Sequence, residues 1–150
     1  MEAESYADDE VSSFINENFI PVEAHIKAHP AWFHRFDALW TPTILILDSE
    51  GKERWRLEGY LPKAEFRAKL ELGLARVGFM HKQWADAEEK YASVVAHYPE
   101  TLAAPEAIYW RGVSRYKATN DHTVLSPTAE ELARKYAGSE WALKASVWAH

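Results

Sequence analysis

Among its 150 residues the chain has no cysteine, so it holds no thiolate able to attack a disulfide. No apolar run reaches the roughly 18 residues that a membrane-spanning helix requires, so membrane insertion is not expected. No basic stripe offsets the net charge of −6 at pH 7. A phosphate backbone would be repelled, and nucleic acid is not an expected partner. There is no nucleophile elbow, P-loop or dinucleotide-binding glycine pattern. Asp48-Ser49-Glu50-Gly51 lacks the ligand spacing of a calcium loop. No cofactor, no metal and no catalytic residue is expected. The N-terminus is acidic, with Glu2, Glu4, Asp8, Asp9 and Glu10, and has no signal-peptide pattern. The expected compartment is the cytoplasm, or the periplasm if a signal lies upstream of Met1.

What is abundant is apolar and aromatic. Hydrophobic residues make up 47% of the chain, which carries seven Trp, seven Tyr and six Phe. These can build a core, and much of its packing energy is expected to sit in the rings. Val11, Phe14 and Ile15 recur at helical spacing behind the capping candidates Asp8 and Asp9, predicting a helix over 8–17. Ile20, Val22, Ala24 and Ile26 alternate and predict a strand over 19–26. Pro30 opens a predicted short helix over 29–38. Thr43–Leu47 is almost wholly apolar, as suits a strand covered on both faces in a mixed or parallel sheet. A hairpin loop follows over 48–52, then a strand over 53–57, and Gly59 and Pro62 lead into a long helix.

Beyond Pro62 only helical spacing appears, in Phe66, Leu70, Leu74 and Val77, then in Ala87, Tyr91 and Val94. Part of this region repeats. Tyr98 and the nine residues after it align with Tyr136 and its successors, an offset of 38 residues (136 − 98). Trp110 matches Trp148, and Thr101 matches Ser139 as a helix N-cap. A period of this size suggests stacked helix pairs.

Three groups of residues invite a functional reading. His25, His29 and His34 form a local cluster, but a strand, a helix start and a helix interior do not force convergence on one ion, and surface histidines are the better reading. Glu88-Glu89 and Glu130-Glu131 are adjacent pairs on helices. Their side chains diverge by about 100°, so a solvated face is expected rather than acid–base chemistry. Trp40, beside Thr41-Pro42, is either a peptide contact or, the favoured expectation, packed on the core or on the helical half. Trp110 and Trp141, next to small alanines, are expected to be core anchors.

The first 76 residues resemble the thioredoxin-like superfamily. The resemblance rests on residues 4–22, on Trp40-Thr41-Pro42-Thr43-Ile44-Leu45-Ile46-Leu47-Asp48, and on the stretch from Gly51-Lys52 to Gly59-Tyr60-Leu61. It implies a cis Thr41–Pro42 bond and a peptide-facing surface at Trp40, Thr41 and Pro42, with Pro42 and Gly59 as structural positions. It also implies a central strand and a Cys-x-x-Cys pair just before the position of Met1, which this chain does not contain. Residues 77–150 resemble tetratricopeptide-like repeats through Ala87, Tyr91, Pro99 and the run from Ala104 to Val113, with Tyr91, Trp110 and Trp141 as structural positions.

The expected fold is therefore α/β, thioredoxin-like with an incomplete sheet, over 1–76, followed by an all-α tetratricopeptide-like region over 77–150. The expected function is a non-catalytic module that binds a protein or peptide. The alternative is part of a thiol–disulfide oxidoreductase whose Cys-x-x-Cys strand lies upstream of Met1. The incomplete sheet carries a further expectation. Residues 20–26 either pair directly with Thr43–Leu47 as parallel neighbours, or the free edges of two chains meet in a homodimer.

Overall fold

The computed structural model describes residues 8–149. The part of the resembling segment before residue 8 lies outside them. The chain divides into two compact units, Met1–Arg67 and Ala68–His150. The boundary falls within one long helix, as does the expected one after residue 76.

In the first unit, helix α1 spans Asp9–Asn18. The Asp8 carboxylate caps it, accepting the N–H groups of Glu10 at 3.0 Å and Val11 at 3.2 Å. Val11 is fully buried. Lys63 bonds Asp8 at 2.7 Å and Glu10 at 3.3 Å, which lowers the Asp8 carboxyl below its usual range. The Arg67 guanidinium lies 3.2 Å over the Phe14 ring. Helix α2 covers only Pro30–Arg35. It ends short of the expected residue 38 because Asp37 turns left-handed, at φ 48°.

The sheet of the described residues has two strands, β1 (Thr43–Leu47) and β2 (Glu53–Glu58), paired antiparallel. Asp48 builds the turn between them. Its carboxylate accepts N–H bonds from Glu50 at 2.9 Å and Lys52 at 3.0 Å, and the Arg54 Nε at 2.7 Å. Gly51 supplies the positive φ of 76° that the turn requires.

Two sequence expectations fail here. Residues 19–26 form no strand and do not pair with β1; a turn occupies 26–28 instead. Alternation shows which side chains share a face, but a strand also needs a ladder partner, and Pro21 has no N–H to offer one. Ile20 is consequently 93% exposed. Among the described residues the almost wholly apolar β1 also lies in an antiparallel ribbon, not in the mixed or parallel sheet that its composition suggested.

Helix α3, Lys63–Met80, runs across the boundary. The second unit adds α4 (Trp84–His97), α5 (Ala103–Thr119), α6 (Leu125–Lys135) and α7 (Glu140–Ala145), with short 3-10 turns before α6 and after α7. Successive helices pack on one another from α4 to α7. The repeated segments occupy equivalent places: Tyr98 ends α4 and Tyr136 ends α6, each donating its N–H to the residue four before it, at 2.9 Å and 2.8 Å. Ala107 and Ala145, matched in the alignment, are both fully buried. The N-cap equivalence holds on one side only. Ser139 accepts the Ala142 N–H at 3.1 Å, whereas the Thr101 hydroxyl donates back to the Tyr98 carbonyl at 2.7 Å and caps nothing. Where α5 meets α6, Gly112 lies against Thr128 with no room for a side chain. Ile108, Ala129, Leu132 and Ala145 form one buried core cluster of this region.

Candidate functional site

The run into β1 carries the first candidate surface. The Thr41–Pro42 peptide bond is cis, as the resemblance implied. The Pro42 carbonyl accepts the Gly59 N–H at 2.9 Å, and the Thr43 hydroxyl donates to the Trp40 carbonyl at 2.7 Å. Gly59, at φ 91°, allows β2 to end beside Pro42. These bonds hold the backbone while leaving the side chains outside. Trp40 is 67% exposed and Leu39 is 92% exposed, so Trp40 does not pack on the core of its own unit as expected. Two adjacent large apolar side chains in solvent are the informative observation at this position. Leu39 carried no signal in the sequence, because exposure is set by what neighbours supply.

The histidines do not converge. His25 donates its N–H to His29 Nδ1 at 3.2 Å, and His25 Nδ1 accepts from the Lys27 N–H at 3.3 Å. These bonds serve the turn, and His34 stands apart on α2. Among the described residues no group of three or more His, Asp or Glu side chains is placed to hold a metal ion.

In the helical region the aromatic side chains form one continuous wall. Phe79 meets Trp84 at 5.0 Å and Trp110 at 5.2 Å between ring centroids. Tyr109 meets Trp110 at 5.4 Å and Trp141 at 5.2 Å, and stacks on Trp148 at 4.6 Å. Trp110 and Trp141 are half-buried parts of this wall, and Trp141 packs against the buried core cluster of Ile108, Ala129, Leu132 and Ala145. Tyr91 is the enclosed ring, at 1% exposure. Its hydroxyl lies near the Arg76 guanidinium without a well-aligned hydrogen bond. Burial pushes the Tyr91 hydroxyl well above its ordinary pKa.

A shallow groove beside α5 is lined by Ala85, Glu88, Glu89, Ala92, Arg111 and Arg115. Arg115 bonds Glu88 at 2.6 Å, and Arg111 bonds Glu131. Glu88 and Glu131 are thus paired, not members of solvated faces as their neighbours Glu89 and Glu130 are. Arg111 and Arg115, four residues apart on one helix face, could have been read from the sequence as a basic stripe facing acidic helices. Each guanidinium of the groove already holds a carboxylate.

Residues 1–74 match the family described as Thioredoxin-like domain. A thioredoxin-like domain is therefore present in this chain, and its match ends inside α3. No curated protein and no solved structure matches the chain. Among the described residues no helix is long and apolar enough to cross a membrane.

Proposed function

We propose that this chain is a non-catalytic protein-interaction module, a thioredoxin-like domain followed by tetratricopeptide-like helices that takes up an extended apolar peptide at Trp40, Thr41 and Pro42. The observation that carries the reading is the exposure of Leu39 and Trp40 beside Pro42, in a chain with no thiol. A solvent-exposed Trp on a fixed backbone is the kind of side chain that anchors a partner. Binding of fluorescent apolar peptides, read by anisotropy, tests it. Trp40→Ala should weaken binding by about tenfold, or roughly 1.4 kcal/mol. Equal binding by wild type and variant would remove the site. In an insulin-reduction assay with dithiothreitol the protein should match the protein-free blank; acceleration above it would refute the non-catalytic reading.

The thioredoxin-like match favours a second reading, in which the chain is one part of a thiol–disulfide oxidoreductase whose Cys-x-x-Cys strand lies upstream of Met1. The codons upstream decide: an in-frame Trp-Cys-x-x-Cys supports this reading, and a stop codon there defeats it.

A further inference from the structure

We propose that Arg76 and Tyr91 together hold a chloride-sized anion inside the helical unit. Arg76 lies on α3 and Tyr91 on α4, both within Ala68–His150, so the site draws on one compact unit alone. Tyr91 is 1% exposed, and its hydroxyl lies near the Arg76 guanidinium. Burial raises the pKa of that hydroxyl, so it keeps its proton and remains a donor. Its oxygen can face an N–H of Arg76, but the hydroxyl proton has no acceptor in hydrogen-bond geometry, and neither has Arg76 Nη1. Both atoms are out of solvent. Arginine has donors only, so the pair is a buried group of donors with no lone pair to receive them. Buried donors left in that state are costly, and native interiors rarely keep them so.

The charge balance points the same way. Among the described residues no carboxylate pairs with Arg76. The rings of Phe79 and Trp110 lie 5.5 Å and 4.7 Å from its Cζ. Their faces attract the cation but bring no net negative charge. Glu106 on α5 is felt electrostatically at Tyr91, but Lys69 neutralises it at 2.8 Å. A water molecule could accept from both donors, yet it would leave the guanidinium charge unbalanced where polarity is low. An anion accepts both bonds and supplies the missing charge. Ala87 and Val94, which flank Tyr91 on α4, and Ala107 on α5 are fully buried. Such close packing selects a monatomic ion over sulfate or phosphate. This inference does not depend on peptide binding at Trp40.

The test compares the full chain in sodium chloride with the same chain in sodium gluconate at equal ionic strength, gluconate being too large for the site. Chloride should raise the wild-type melting temperature by about 3 °C over gluconate, as expected for an ion present at several times its dissociation constant. Tyr91→Phe keeps the ring and removes one donor. Arg76→Met keeps the apolar stem and removes the charge. Each should lose most of the chloride effect, and if Arg76→Met does not fold, Tyr91→Phe decides. Wild-type crystals soaked in sodium bromide should show an anomalous peak in contact with Arg76 Nη1 and the Tyr91 hydroxyl. No chloride effect in wild type, an undiminished effect in Tyr91→Phe, or ordered water in place of bromide would each overturn the proposal. A bromide peak without chloride stabilisation would mean an adventitious ion only, and would overturn it as well.

Discussion

Replacing Gly112 by Ala sets two effects of opposite sign against each other. Gly112 lies in the middle of α5, where Gly→Ala alone stabilises a helix by about 0.5–1 kcal/mol. The new methyl group would, however, collide with Thr128 Oγ1, and would lie 2.6 Å from its Cγ2 and 2.9 Å from its Cβ. Thr128 cannot swing aside freely. It is β-branched, it is buried, and its hydroxyl donates to the Val124 carbonyl at 3.1 Å. Relief must come from separating α5 and α6, and such overpacking costs about 1–3 kcal/mol. The clash wins, and Gly112→Ala should lose about 1–2 kcal/mol. For a chain of this size that lowers the melting temperature by roughly 3–8 °C in a circular dichroism melt. Adding Thr128→Ala removes two of the three close contacts, so the Gly112→Ala cost should shrink by about 1 kcal/mol in that background, a coupling a double-mutant cycle resolves. A Gly112→Ala protein as stable as wild type, or more so, would refute the close-packed crossing.

Three further perturbations test other parts of the fold. Tyr91→Phe removes a buried hydroxyl that has no well-aligned hydrogen bond, so urea denaturation should show a change within about 1 kcal/mol, whereas Tyr91→Ala should cost about 3–5 kcal/mol. Asp48→Ala strands two turn N–H groups and the Arg54 side chain, so it should cost about 2–4 kcal/mol and speed hydrogen exchange at the Glu50 and Lys52 amides. The third concerns acid. Burial alone would raise the Glu131 carboxyl, but bonds from Lys135 and Arg111 outweigh it and hold the carboxyl below its ordinary value. A lowered folded-state pKa stabilises above the ordinary glutamate value, and that contribution disappears as pH falls through the lowered one. Melting temperatures followed from neutral to acid should therefore fall less steeply for Glu131→Gln than for wild type, and parallel curves would show that the ion pair contributes nothing.

The helices were legible because each carries its own information. Asp8 before Val11, Pro30 at a helix start, and Ala87, Tyr91 and Val94 on one face are local signals, and each sits in or beside a helix in the structure. Hairpin β1–β2 was legible for the same reason: the apolar run, the Asp48 turn and Gly51 are contiguous. Residues 19–26 show where such reading ends. Their alternation is as regular as that of any strand, yet pairing is a property of two segments, and the second one is not specified by the first. The Gly112–Thr128 contact was hidden for a related reason, since nothing at either position signals that the other lies against it.

The candidate site follows the same division. The cis Thr41–Pro42 bond was foreseen from the thioredoxin-like resemblance, which a contiguous motif carries, Trp-Thr-Pro-Thr before an apolar strand. The exposure of Leu39 and Trp40 was not, because an apolar side chain is buried only if another part of the chain arrives to cover it. Composition favoured the buried state, as it would for most tryptophans. What decides the matter is that the Trp40 and Pro42 carbonyls are tied to Thr43 and Gly59, both within the same short ribbon. A ribbon of two strands has little surface to spare for covering its own leading segment. The apolar character that made β1 look like an interior strand extends back through Leu39 and Trp40, and among the described residues nothing arrives to cover those two side chains.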